Sequence, residues 1–248
     1  MNESSNIPPA MNPTIASIGR GFHQSDPPLG EVASDRRPIA SLIMAIETVL
    51  REPRCVLFQL TQPQQGRLRR DLVFVTLVSS FIYGLVVGTF SGGEQLLAAP
   101  VKIASGLLLS AMICLPSLYI FSCLSGARAR LSEVCGLLIA FLALMTILFI
   151  GFAPVAWVFS QSTTSVAAMG ALHLLFWFIA TGFGLRLLER GFRHHGAHDG
   201  MMRIWTLIFL LVALQMTTAL RPIVGTAPTL LPRTKQFFIA HWMESFQK

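Results

Sequence analysis

The sequence predicts an all-α integral membrane protein of about five transmembrane helices, preceded by a cytoplasmic amphipathic helix and followed by a short interfacial helix. Three observations predict it. Of 248 residues, 53% are hydrophobic and 12% charged, about half the charged share of a soluble domain. The apolar residues gather in blocks beyond Asp71, whereas Met1 to Arg36 is polar and carries Pro8, Pro9, Pro13, Pro27 and Pro28. The formal charge of +7 comes from arginines that flank the apolar blocks, the pattern that sets membrane orientation. They do not form the basic face with interleaved aromatics that marks a nucleic-acid site, so the expected partners are the lipid bilayer and other membrane proteins, not nucleic acid.

Residues 1–36 lack the positive start, apolar core and small-residue cleavage site of a secretory signal, and their composition predicts a disordered cytoplasmic tail. Residues 37–70 form the next unit. Ile39, Leu42, Ile43, Ile46, Val49 and Leu50 recur at three- and four-residue steps and make one apolar helix face. Pro38 suits the first turn of that helix, with Asp35 upstream, and Pro53 marks its end. At about four turns it is too short to cross a bilayer, so it lies on the surface or docks. Cys55 to Leu60 is a second brief apolar run, and Arg67, Arg69 and Arg70 precede the first long block.

Residues 71–221 hold five expected spans. The first, Leu72 to Phe90, has no charge and makes about 28 Å of helix, the thickness of a hydrocarbon core. Ser91, Gly92 and Gly93 turn the chain. The second runs from Ile103 to Leu124 through Pro116, with Glu94 and Lys102 placed in the connection before it, able to pair there as loop charges. The third, Val134 to Phe159, contains Gly151 and Pro154 and is expected to tilt or kink, with a re-entrant second half as the alternative. The fourth covers Ser165 to Leu188 and includes His173, and the fifth, Ile204 to Leu220, closes at Arg221 and Pro222. Residues 222–248 are an external tail in which Phe237, Phe238, Ile239, Trp242, Met243 and Phe246 predict an interfacial helix with Trp242 at the membrane surface.

Arg51, Arg54, Arg67, Arg69, Arg70, Arg128, Arg130, Arg186, Arg190, Arg193 and Arg203 fall on one side of this arrangement, and Lys102, Arg221, Arg233 and Lys235 on the other. The bias places the N-terminus in the cytoplasm and the C-terminus outside, in a membrane read as a bacterial inner membrane.

Few residues carry chemistry. Gly84 and Gly88 make a GxxxG step that lets a second backbone approach, more readily within this chain than between chains, although the same spacing occurs on lipid-facing helices. His173 lies inside a span, where an ionisable group is a candidate site, yet no Asp or Glu shares the spans with it; the plain alternative is a neutral histidine bonded to a neighbouring helix. His194, His195 and His198 with Asp199 could ligate a first-row metal, but Gly191, Gly196 and Gly200 loosen the loop, and a solvated basic loop is the expected reading. Cys55, Cys114, Cys123 and Cys135 show no metal or redox spacing and read as small apolar residues. No nucleophile-and-base set, phosphate-cradling loop or HExxH stands in the sequence, so neither catalysis nor a cofactor is expected.

The order of a cytoplasmic tail, an amphipathic segment ending at Pro53 and Arg54, then five spans and a short external C-terminus resembles the Yip1-like membrane proteins over residues 37–220. Ala99-Pro100-Val101-Lys102, Leu115-Pro116-Ser117-Leu118-Tyr119 and Leu220-Arg221-Pro222-Ile223-Val224-Gly225 are similar to segments of uncharacterised bacterial multi-span proteins. Such membership implies a non-enzymatic protein of membrane organisation or trafficking that works through partners, and brings no catalytic residues. The function expected is therefore a scaffold or complex subunit, with a transporter or channel component as the alternative. An odd number of spans and the missing intramembrane carboxylates weigh against the latter.

The apolar helix face needs a cover, since burying one large aliphatic side chain is worth about 1.5–3 kcal/mol. Arg67, Arg69 and Arg70 could each add about 1 kcal/mol at an anionic leaflet. The helix itself, however, balances Arg37 and Arg51 against Glu47 and Glu52, so a protein surface is the expected cover: the ends of this chain's own spans or a partner's groove.

Overall fold

The computed structural model describes residues 27–219 except Gln64, Glu94 and His198. Among these there are seven α-helices and no strand: α1 (Leu42–Arg51), α2 (Pro53–Thr61), α3 (Gly66–Ser91), α4 (Gln95–Leu124), α5 (Leu131–Ser162), α6 (Val166–His194) and α7 (Asp199–Ala219), with a single 3-10 turn at Ala33–Arg36 before them. The expected C-terminal interfacial helix, Trp242 and the first 26 residues lie outside the described residues.

Four helices among the described residues, α3, α4, α5 and α6, are long and apolar enough to cross a membrane. The fifth expected span corresponds to α7, whose apolar part, Arg203–Met216, is shorter. The five run alternately up and down. Helix α5 is the centre: 61% of its apolar stretch is buried within the protein against 22% for α6. It packs on α3 and α6, α4 packs on the other side of α3, and α7 packs on α4.

Apolar surface gains little from leaving lipid for protein, so close packing of backbones holds such helices together. Here Gly84 of α3 lies against the backbone of Pro100 in α4, Gly184 of α6 against the Phe141 ring of α5, and Gly191 against Leu137 and Leu57. Hydroxyls inside the bundle return to their own helix, as Thr76 to the Leu72 carbonyl and Thr146 to that of Leu142, which answers the lack of water. Trp205, Phe209 and Ala213, four residues apart, are the buried stripe of α7. The Trp205 indole donates to the Cys114 carbonyl of α4 at 3.3 Å, and Phe209 meets Phe141 edge-on at 5.2 Å.

Several expectations are corrected. Pro38 does not open α1: Ser41 caps it, accepting from the Met44 amide at 3.2 Å, and residues 37–40 precede the helix. Pro53 does close α1, but it also starts α2, which takes up the Cys55 to Leu60 run. The last residues of the expected tail form the 3-10 turn Ala33–Arg36, which packs on α2. Lys102 is not in a loop: α4 begins at Gln95, continues through Pro100, and buries Lys102 to 3% exposure. Helix α5 is continuous through Pro154, so its second half is not re-entrant.

Candidate functional site

The chemistry-bearing side chains collect mainly at one end of the bundle, where α3, α5 and α7 begin and α4 and α6 finish. Arg54 organises it. Its guanidinium donates to both carboxylate oxygens of Asp35, at 3.4 and 3.1 Å, and to the carbonyls of Pro27 and Pro28. The Gly30 amide also donates to Asp35, and the Phe58 ring packs on the Gly30 backbone. Burial of Asp35, 2% exposed, pushes its pKa up. The Arg54 guanidinium and the Gly30 amide outweigh that and hold the carboxyl below the ordinary carboxylate value.

The segment after this clasp is pinned in turn. Gln59 and the Cys55 thiol donate to the Arg37 carbonyl, and Arg67 to that of Ala40. Burial pushes the Cys55 thiol up, away from reactive thiolate character. Helix α2 then caps the bundle, with Leu57 against Gly191 of α6 and Leu60 against Gly136 of α5.

So mounted, α1 divides its apolar residues. Ala45, Thr48 and Val49 face inward and are buried, with α3, α2 and α5 packed around the helix. Ile39, Leu42 and Ile46 are partly buried, whereas Ile43 and Leu50 remain 77% and 46% exposed. The six residues read as one face thus fall into a seated part and a bare part, because the inward contact is centred on Ala45, a small residue that lets the helix approach closely.

At the same end, α4 and α6 finish in matching turns. Gly126 and Gly196 have φ of +86° and +85°, the left-handed conformation glycine adopts at no steric cost. Ala127 donates to the Ser122 carbonyl and Ala197 to that of Phe192, closing each helix. The two turns are joined by the Arg128 amide donating to the His195 carbonyl at 2.9 Å. His195 Nδ1 stands 3.9 Å from Glu133 Oε2, and that oxygen accepts from the Arg130 amide. Gly126, Arg128, His194, His195 and Gly196 line an open depression of about 540 Å³. No group of three metal-ligating side chains occurs among the described residues; His198 is outside them.

No family model, curated protein or solved structure matches this chain.

A second polar cluster lies inside the bundle. Tyr83 of α3 and His173 of α6 share a hydrogen bond of 2.7 Å between Oη and Nδ1. Phe149 of α5 stacks on the Tyr83 ring at 4.8 Å, and His173 Nε2 is buried without a hydrogen-bond partner among the described residues. Lys102 sits seven residues into α4 as His173 sits seven into α6, so both are about 10 Å from the starts of their helices.

The remaining sequence candidates are placed as follows. Gly84 and Gly88 are both buried in α3. Arg67 is exposed, Arg70 is exposed near Asp71 at 3.9 Å, and Arg69 is partly buried. The Nε of Arg69 and the Oε1 of Gln65 are enclosed near Gly136 without hydrogen-bond partners among the described residues. Sequence reasoning did not find the Asp35–Arg54 clasp, the burial of Lys102 or the role of Tyr83. Tyrosine occurs twice in the chain, at positions 83 and 119, and both lie within expected spans, which was the available signal.

Proposed function

We propose that this is a non-enzymatic integral membrane protein serving as a scaffold or subunit of a membrane complex, with α1 as its docking element. The observation that carries the reading is the bare pair on α1. Ile43 and Leu50 are seven residues apart, hence on one helix face, and they project from a helix that is already seated on its own bundle. The exposed Glu47–Arg51 ion pair shares this face, so what α1 offers a partner is two apolar side chains, each worth up to about 1.5–3 kcal/mol on full burial, beside one ion pair. Rigid mounting of an apolar stripe suits recognition of a partner groove, since little ordering is left to do on binding.

The reading includes five spans, with α7 as the fifth: its 21 residues extend about 31 Å. It places the arginine-rich end and the N-terminus in the cytoplasm and the C-terminus outside, in the cell's inner membrane. The gathering of Arg54, Arg67, Arg69, Arg70, Arg128, Arg130, Arg190 and Arg193 at one end supports that orientation. Kinship with Yip1-like proteins rests on this layout alone.

The test compares a double variant and a single variant purified in mild detergent. Ile43→Ser with Leu50→Ser keeps the thermal stability of the bundle but loses a protein that co-purifies with wild type. Val49→Asp, by contrast, lowers the stability itself, because Val49 is buried. Retention of every co-purifying protein by the Ile43/Leu50 variant would refute the scaffold reading.

One observation favours a second reading, a transporter or channel component: Lys102 buried inside an apolar helix, with Tyr83 and His173 in the same half of the bundle. Solute flux into proteoliposomes that stops on Lys102→Met would establish it over the first.

A further inference from the structure

The depression between the closing turns of α4 and α6 is lined by groups of one kind. Arg128 is exposed and lines the depression beside His194 and His195. Gly126 and Gly196 contribute no side chains, which leaves the space open. We propose that this depression holds a phosphate group, carried by a lipid headgroup or free in solution.

Two features could oppose an anion here, and the structure has engaged both. The C-terminal ends of α4 and α6 carry partial negative charge, but the amides of Ser125, Gly126, Ala127, Gly196 and Ala197 close back on those helices' final carbonyls. The Arg128 amide takes the His195 carbonyl. The carboxylate beside His195, Glu133, accepts from the Arg130 amide and lies 3.9 Å from His195 Nδ1. Asp35, near enough to interact with His194, is neutralised by Arg54. The lining then contains an exposed guanidinium, whose planar fork matches phosphate oxygens, with the imidazoles of His194 and His195 beside it. Arg130 and Arg193 flank these groups in sequence and add positive potential. The site also lies where the apolar helices end, the level at which headgroup phosphates stand in a bilayer.

The experiment uses the purified full chain with two probes. One is inorganic phosphate titrated by calorimetry in detergent. The other is the thermal midpoint in a maltoside detergent, which carries no phosphate, with and without added phosphatidylglycerol. Saturable binding of inorganic phosphate identifies a free phosphate; stabilisation by phosphatidylglycerol without a response to inorganic phosphate identifies a headgroup. In either case Arg128→Gln weakens the effect about tenfold, and His194→Gln weakens it through an independent side chain. Arg203→Gln, exposed on α7 at the same end but outside the lining, changes it less than about twofold. The Arg128 backbone, not its side chain, ties the two turns together, so glutamine there keeps the fold. The proposal is overturned if neither probe acts on wild type, or if Arg203→Gln weakens the effect as much as Arg128→Gln. The first result would mean no phosphate site, the second only diffuse surface charge. The outcome is independent of whether α1 docks a partner.

Discussion

Tyr83 and His173, ninety residues apart in sequence, join α3 to α6 by a 2.7 Å hydrogen bond in a bundle where α5 lies between those two helices. Each supplies the polar partner that the other would lack in lipid, and Phe149 of α5 supports the tyrosine ring from below. The far half of α6 is thereby clasped to the bundle, aided by the Phe152–Phe176 stack at 4.7 Å.

Tyr83→Phe keeps the ring and removes the hydroxyl, leaving both imidazole nitrogens of His173 buried without a protein partner. It should cost about 1–3 kcal/mol in detergent unfolding. The double variant Tyr83→Phe/His173→Leu should recover much of that, because removing both partners leaves no unpaired polar group. Equal stability of Tyr83→Phe and wild type would show the bond to be incidental.

Gly84→Ala is predicted to destabilise by about 1–3 kcal/mol, since the added methyl would meet the Pro100 backbone, which cannot swing aside as a flexible side chain can. Gly182→Ala serves as the control: nothing lies near its Cβ position, and the change should stay within about 0.5 kcal/mol. A stable Gly84→Ala would remove the close approach of α3 and α4 from the account.

Breaking the clasp by Arg54→Met leaves a buried carboxylate with the Gly30 amide but without its counter-charge and should cost about 3 kcal/mol, felt locally in residues 27–61. Alkylation of Cys55, 1% exposed in the folded chain, should accelerate as that segment opens. The pH dependence has a defined sign. The Asp35 pKa is depressed by folding, so the clasp contributes fully above the unfolded value of about 3.8 and is lost as pH falls below it. Amide exchange in residues 27–61 should therefore rise under acid before exchange in α5 does; simultaneous loss would contradict a local clasp.

Orientation is tested by cysteines introduced one at a time. An impermeant thiol reagent added to intact cells should label Gln161→Cys, at the end of α5, and not Gln65→Cys or His195→Cys. Labelling of His195→Cys would reverse the orientation proposed from the arginine bias.

The long helices were legible because an uninterrupted apolar run has one economical solution in lipid, and residue order alone reveals the run. Their ends were not. Lys102 and Pro100 read as a loop, yet α4 absorbs both, with Pro100 as its sixth residue packed against Gly84 of α3. On α1 the periodicity located the apolar residues but not their division: inward contact is set by Ala45 and Thr48, neither of which stands out as hydrophobic. The Asp35–Arg54 clasp and the Tyr83–His173 bond join residues 19 and 90 positions apart, a separation at which sequence pattern carries no pairing information. The paired turns at Gly126 and Gly196 were visible only as glycines near helix ends, and their meeting through Arg128 and His195 depends on α4 and α6 finishing at the same end.

The docking role of α1 is the central claim, and photo-crosslinking in native membranes tests it most directly. A photoreactive residue replacing Ile43 is predicted to give a discrete protein adduct. The same residue replacing Phe178, 49% exposed on the apolar face of α6, should give lipid adducts. If position 43 also yields lipid adducts alone, the bare stripe is a membrane-surface contact and the scaffold reading is wrong.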